Sequence, residues 1–271
     1  MKKLFVLFVT IMSFVVLACS AKTSKSLEDM KEEKGDRNTA AQVQSGAVIP
    51  ADKYVIGQDT LYVTLVGHGS LMFEFKGKII HVDPYSAVAD YSKLPKADLI
   101  LMTHEHGDHL DKAALAEVQN SNTYLITSKV CNEILGYGEI INNGESTTWN
   151  GIEIKAVPAY NIVHKRDDGG AYHPKGRGNG YVVKFGDRLV YIAGDTENIP
   201  EMNQLKGKVY IAFMPKNLPY TMDDNMFVDA AKKVTPTYLY PYHMSEFNEA
   251  EIGKALNGTN IELRIRPMSN K

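Results

Sequence analysis

Thr103-His104-Glu105-His106-Gly107-Asp108-His109 follows directly on Ala97-Asp98-Leu99-Ile100-Leu101-Met102 and leads into a helical pattern that starts at Asp111. The apolar run predicts a strand buried on both faces, so the seven residues after it form a strand-to-helix loop. Three imidazoles and a carboxylate gathered in one such loop are hard to explain as packing. Alternate residues of an extended segment point the same way, so His104 and His106 can share one cation. Asp108 and His109, beyond a bend assigned to Gly107, then turn toward a second. Imidazole with carboxylate suits Zn²⁺, while Mn²⁺ or Fe²⁺ fits nearly as well.

On either side of this loop the chain reads as short apolar strands separated by Gly, Asn and Asp turns. Leu61 to Val66 and Leu71 to Phe75 are strands by β-propensity, and Lys76-Gly77-Lys78 turns the second into Ile79 to Val82, which stops at Asp83-Pro84. Trp149-Asn150-Gly151-Ile152 predicts a type I′ hairpin. Tyr181 to Phe185, Gly186-Asp187 and Arg188 to Ala193 predict another, ending at Gly194-Asp195. Helical spacing marks Asp111 to Val118, Asp223 to Val234 with Thr221 as its N-cap, and Glu246 to Leu256. A strand–turn–strand ending in Asp thus occurs twice, at Asp83 and at Asp195. This echo implies two stacked sheets with helices outside and a site at one edge, an α/β fold whose sheets are mixed because hairpins predominate.

The chain has 271 residues and a net charge of −2, so it suits one substantial domain and lacks the basic excess of a nucleic-acid binder. Met1-Lys2-Lys3 and the apolar run Leu4 to Ala18 read as a signal peptide over 1–18, too short for a comfortable membrane span. The run ends in Val16-Leu17-Ala18-Cys19, which resembles the lipobox of bacterial lipoproteins. The resemblance implies lipidation at Cys19 and a protein anchored in the cell envelope through that lipid. Residues 19–50 lack aromatics and read as a flexible tether, leaving 51–271 as the folded domain. With Cys19 lipidated, Cys131 has no disulfide partner and reads as a buried small hydrophobe.

His104-x-His106-x-Asp108-His109 resembles the His-x-His-x-Asp-His motif of the metallo-β-lactamase superfamily. Gly67-His68-Gly69-Ser70, Val82-Asp83-Pro84-Tyr85, Gly194-Asp195-Thr196 and Pro241-Tyr242-His243 resemble its small lactonase and phosphodiesterase branch, which includes ascorbate-6-phosphate lactonases and N-acyl-phosphatidylethanolamine phospholipases. The resemblance implies a four-layer αββα sandwich. It also implies that Asp195 bridges two metals and that His243 joins Asp108 and His109 on the second. The family usually has a histidine after the strand Ile154 to Tyr160, where this chain has Asn161, a poor zinc ligand. His164 and His173 are the nearby substitutes. His173 is preferred because His173-Pro174-Lys175-Gly176 reads as a rigid turn into the next strand, and His164 lies in a charged loop that reads as surface.

His68 and Asp83 are candidates for holding a ligand imidazole in place. Two cations about 3.5–4 Å apart can share a hydroxide, bringing the pKa of bound water from 15.7 to about 7. The expected activity is therefore hydrolysis of an ester, lactone, amide or phosphodiester by a metal-bound hydroxide that Asp108 orients or whose proton it relays. Small or lipid-derived molecules are the expected substrates. The alternative is a metal- or solute-binding envelope lipoprotein that keeps the fold without turnover, a reading fed by Asn161.

Overall fold

Two sheets of seven strands each, laid out on one plan, organise the described residues, which are 50–244 and 246–268 of the computed structural model. In the first sheet β1 (Asp52–Ile56), β2 (Asp59–Gly67), β3 (Ser70–Phe75) and β4 (Lys78–Val82) form an antiparallel meander. The parallel strands β5 (Leu99–Leu101), β6 (Tyr124–Thr127) and β7 (Glu139–Ile140) extend it. The second sheet repeats this with the meander β8 (Ser146–Trp149), β9 (Ile152–Ala159), β10 (Gly178–Phe185) and β11 (Arg188–Ile192). Its parallel strands are β12 (Val209–Lys216), β13 (Tyr238–Met244) and β14 (Glu262–Leu263). Parallel neighbours need crossover connections. Helices α1 (Lys112–Val118), α2 (Lys129–Leu135), α3 (Asp224–Val234) and α4 (Glu249–Ala255) lie in four of them.

Period-two patterning decides the layers. Leu61, Phe73, Ile80 and Leu101 of the first sheet meet Ile154, Tyr181, Val190 and Phe213 of the second in a core between the sheets. On the outer faces, Ala114 and Leu115 of α1 cover Met72, Ile100 and Met102, while Phe227 of α3 and Ile252 of α4 belong to the cluster around Tyr191, Ala212 and Leu239. The result is the expected four-layer αββα sandwich of two mixed sheets. No helix among the described residues is long and apolar enough to cross a membrane. The leader at 1–18, Cys19 and all but residue 50 of the tether at 19–50 lie outside the described residues.

Both hairpins form where expected, with Trp149 paired to Ile152 across Asn150 (φ 46°) and Gly151 (φ 79°), and Phe185 paired to Arg188. Other details differ. Helix α3 is capped by Asp223, which accepts from the Met226 amide at 2.7 Å, whereas the buried Thr221 hydroxyl accepts from the Asn217 amide. Helix α4 begins later than expected, at the Asn248 cap. Gly107 has neither a positive φ nor a crowded Cβ position; the bend comes from a turn in which the His109 amide donates to the His106 carbonyl. Cys131 is buried on α2, and burial pushes its thiol pKa up to about 12.

One buried histidine, His81, lies apart from the candidate site residues. His81 on β4 points outward from the central core toward Tyr91, fully buried, with its Nε2–H donating to the Pro95 carbonyl at 3.1 Å. Desolvation lowers its pKa from 6.5 to about 4. The folded state therefore binds fewer protons than the unfolded state between these values. Stability from this group is complete above pH 6.5 and falls away as pH drops toward 4, by about 3 kcal/mol in all. In denaturant unfolding of metal-stripped protein, His81→Gln should lose about that much less stability than wild type between pH 7.5 and 4. Equal losses in the two proteins would show that His81 does not titrate in this way.

Candidate metal centre

Strand parity delivers the candidate residues to one edge. Strands β2, β4 and β5 run in the same direction in the first sheet, as do β9, β11, β12 and β13 in the second. At or just past their C-terminal ends lie His68, Asp83, the 104–109 loop, Asn161, Asp195, Asn217 and His243. His173 enters from the loop five residues before β10, at the same edge. His243 lies within β13 rather than beyond it, at a break in register where Pro215 pairs with Tyr242 and Lys216 with Met244. Such a bulge re-aims a side chain.

The backbone is strained here. His68 (φ 49°), Asp83 (φ 42°) and His243 (φ 43°) all adopt left-handed conformations, and the His243 amide donates to the His68 carbonyl at 2.8 Å. Non-glycine residues in this region cost of order 1 kcal/mol or more, and such strain clusters at functional sites. Gly69 permits the close approach, since a Cβ there would lie 2.7 Å from His109 Cε1. Gly194 (φ 65°) turns the chain into Asp195, and a Cβ there would strike the Asn179 carbonyl oxygen at 2.7 Å.

Two groups of donors result. His104, His106 and His173 form one; His68, Asp108, His109 and His243 form the other, with the donor atoms in each within 4.8 Å of one another. Asp195 stands between them. Its Oδ2 lies 3.3 Å from His173 Nε2, 3.4 Å from His243 Nε2 and 3.8 Å from His104 Nε2, and its Oδ1 lies 3.5 Å from His109 Nε2. Asp108 Oδ2 reaches His68 Nε2 at 2.9 Å and His243 Nε2 at 3.4 Å.

The imidazoles are held from behind. His109 Nδ1–H donates to Asp83 Oδ2 at 2.8 Å, and Asp83 also takes the Thr103 amide and hydroxyl. His173 Nδ1–H donates to Asn161 Oδ1 at 2.7 Å, His104 Nδ1 meets the Thr103 hydroxyl at 3.0 Å, and His243 Nδ1 meets the side-chain Nδ2 of Asn217 at 3.2 Å. The opposite nitrogens converge. His104 Nε2, His109 Nε2, His243 Nε2 and Asp195 Oδ1 are buried without hydrogen-bond partners among the described residues. Orphaned buried donors are costly and rare, so four aimed at one volume call for a ligand. Imidazole and carboxylate oriented by outer partners are the donor set of a divalent metal. Burial holds His104 well below its usual pKa, leaving it neutral as a ligand must be. Burial opposes charge on His109, but Asp195 and Asp83 outweigh it and raise that pKa.

The loop 161–173 is set by a residue that sequence reading did not single out. Glu197, fully buried two positions after Asp195, accepts the amides of Ile162 and Val163 at 2.6 Å each, the amide of His164 at 2.7 Å and Asn161 Nδ2 at 3.1 Å. Burial opposes its ionisation, but these donors together lower its pKa. His164 is not a surface residue. It is half-buried against Glu197, Nδ1 to Oε1 2.8 Å, and joins neither donor group. Asn161 likewise offers itself to His173 rather than to the cage. Glu105 points away from the histidines and pairs with Arg177.

The sequence profile of the Beta-lactamase superfamily domain matches residues 62–243. A UPF0173 metal-dependent hydrolase of Flavobacterium johnsoniae is 32% identical over 207 residues, covering 70% of this chain and 87% of its own. A second, from Thermoplasma acidophilum, is 32% identical over 210 residues and is covered to 91%. The crystal structure of a protein from Parabacteroides distasonis, provisionally named a metal-dependent hydrolase, superposes with a TM-score of 0.77 at 43% identity, covering 82% of this chain and all of that one. Igni18, a metallo hydrolase of Ignicoccus hospitalis, shares the fold at 24% identity with a TM-score of 0.64, covering 77% and 96% of the two chains. The profile match and these identities place the chain in the beta-lactamase superfamily, among the UPF0173 proteins that are named metal-dependent hydrolases.

Proposed function

We propose that the protein hydrolyses an ester, lactone, amide or phosphodiester at a centre of two divalent cations, with zinc as the first candidate. The convergence of four buried, unpartnered donor atoms on one volume carries this reading. His104, His106, His173 and Asp195 would hold one cation; Asp108, His109, His243 and the same Asp195 would hold the other. Bound cations would acidify water and polarise a carbonyl or phosphoryl oxygen. The chain's own part is to position and to exclude. Asp83 and Asn161 fix which nitrogen of His109 and His173 faces inward, and Thr103 does the same for His104. Asp108, half-exposed and tied through Oδ2 to His68 and His243, would be the carboxylate that receives a proton. Burial would favour its neutral form, but the two histidines outweigh this and hold it ionised.

The mouth carries positive charge. Arg177 is occupied by Glu105 and Lys175 by Glu201, whereas Arg166 has no carboxylate partner among the described residues. Its Nη2 lies 3.4 Å from His106 Nε2, which favours substrates with an anionic group. The envelope location follows from the lipobox reading, with Cys19 as the anchor.

Metal analysis of the purified chain, combined with a panel of chromogenic esters, lactones and phosphodiesters, tests the proposal. Two equivalents per chain and a hydrolysis that chelator abolishes and added metal restores are expected. A chain that carries two cations and cleaves none of these classes would favour the binding protein instead.

A further inference from the structure

Nine large hydrophobic residues are exposed among the described residues, and four of them, Ile162 (48%), Val163 (60%), Leu218 (48%) and Tyr220 (46%), follow Asn161 and Asn217, the two residues that contact His173 and His243. They are not loose loop tips. Glu197 draws the amides of Ile162, Val163 and His164 inward, which turns the Ile162 and Val163 side chains out toward solvent. The segment 217–220 is fixed by its own bonds, with the Thr221 amide donating to the Asn217 carbonyl at 2.8 Å and the Asn217 amide to the Thr221 hydroxyl.

Each segment is also tied to an inward histidine. Asn161 accepts from His173, and Asn217 meets His243. The two are joined to each other, since Asn161 Nδ2 donates to the Tyr220 carbonyl at 2.9 Å, and the Tyr220 ring meets Tyr172 at 5.1 Å. Isolated surface hydrophobes need no explanation, but a rigid group beside a site marks a binding surface.

We propose that Ile162, Val163, Leu218 and Tyr220 form an apolar subsite that takes a hydrocarbon group, acyl or aryl, of the substrate cleaved at the adjoining metal centre. The proposal rests on the hydrolase reading for the cleaved bond, while the subsite stands on its own contacts. Continuity with the centre through Asn161 and Asn217 makes the substrate's own tail the occupant, rather than a separate partner.

Calorimetric binding of a homologous series, methyl- to decylphosphonate, to the metal-loaded full-length chain tests it. Methylphosphonate, with no chain beyond its single methyl group, reads the centre alone. From butyl upward each methylene laid on a half-open apolar surface should tighten Kd about two- to threefold, below the roughly fourfold of complete burial. Ile162→Ser with Val163→Ser, and separately Leu218→Ser, should flatten that slope; these are exposed positions, so folding is not at stake. A flat series in the wild type, a slope untouched by either variant, or failure of decylphosphonate to bind at all would overturn the proposal. So would a flat series accompanied by binding to phosphatidylglycerol vesicles that the rim variants abolish, which would make the rim a lipid-surface contact. Methylphosphonate failing to bind while longer homologues bind would instead count against the metal centre and leave the subsite standing.

Discussion

Asp195→Asn should remove at least one of two bound cations per chain and lower kcat/KM by roughly 1,000-fold or more, ~4 kcal/mol of transition-state stabilisation. The amide is nearly isosteric, so packing at the end of β11 survives and the effect isolates charge. Both carboxylate oxygens are engaged, Oδ2 facing His173, His243 and His104 and Oδ1 facing His109. Asn can present only one oxygen, uncharged, and its NH₂ would face nitrogens that need their lone pairs for metal. Two cations brought into a buried cage need anionic partners; here Asp195 and Asp108 are the carboxylates facing it. Metal content by atomic spectroscopy, read beside kinetics on whichever substrate the panel yields, decides the matter. A variant with both cations and wild-type turnover would remove Asp195 from the centre, and with it the role of a carboxylate shared between the two donor groups.

The parts of this fold that could be read beforehand are those whose physics is local. Residues 97–109 contain a buried strand and a dense run of donors within one short segment, and both hairpins are written in Asn150-Gly151 and Gly186-Asp187. The doubled strand–turn–strand motif was legible as well, and the structure brings Asp83 and Asp195 to the same edge. What escaped depends on partners distant in sequence. β1 is only five residues long, with Tyr54, Val55 and Ile56 at its end, and its bounds are set by the pairing of Asp52 to Ile56 with Asp59 to Val63. α2 is two turns long and too short for periodicity to mark. Asn161 read as a weakened ligand because a residue type was judged at one position; its oxygen instead takes both the backbone amide and Nδ1–H of His173. Glu197 was invisible because its amide donors lie 33–35 residues upstream. A usable signal did exist. A glutamate at the end of an otherwise buried strand segment needs donors, and Ile162-Val163-His164 is a loop with amides to give.

Glu197 is therefore the residue whose loss should be felt farthest from its own position. Glu197→Ala leaves three backbone amides without their acceptor and takes one of two acceptors from the Asn161 side chain, whose Nδ2 still donates to the Tyr220 carbonyl. Removing one partner of a buried, charge-assisted cluster costs about 3–5 kcal/mol, so metal-stripped protein should lose that much in denaturant unfolding. The damage then propagates along a single chain of contacts. Asn161, then held through the Tyr220 carbonyl and its own backbone amide alone, orients the His173 ring less firmly, and partners that orient ligand histidines are worth about 10–100-fold in metal affinity. The His104–His106–His173 cation should weaken by that factor while the one at Asp108, His109 and His243 is retained. Glu197→Gln keeps one acceptor oxygen and should fall between wild type and alanine on both scales. Because Glu197 and Asn161 act through the same ring, Glu197→Ala and Asn161→Ala should be non-additive in metal affinity, the double variant being scarcely worse than the more severe single one. Strict additivity, or a Glu197→Ala protein that unfolds within about 1 kcal/mol of wild type and still binds both cations at full strength, would mean that the loop holds its shape without the buried carboxylate.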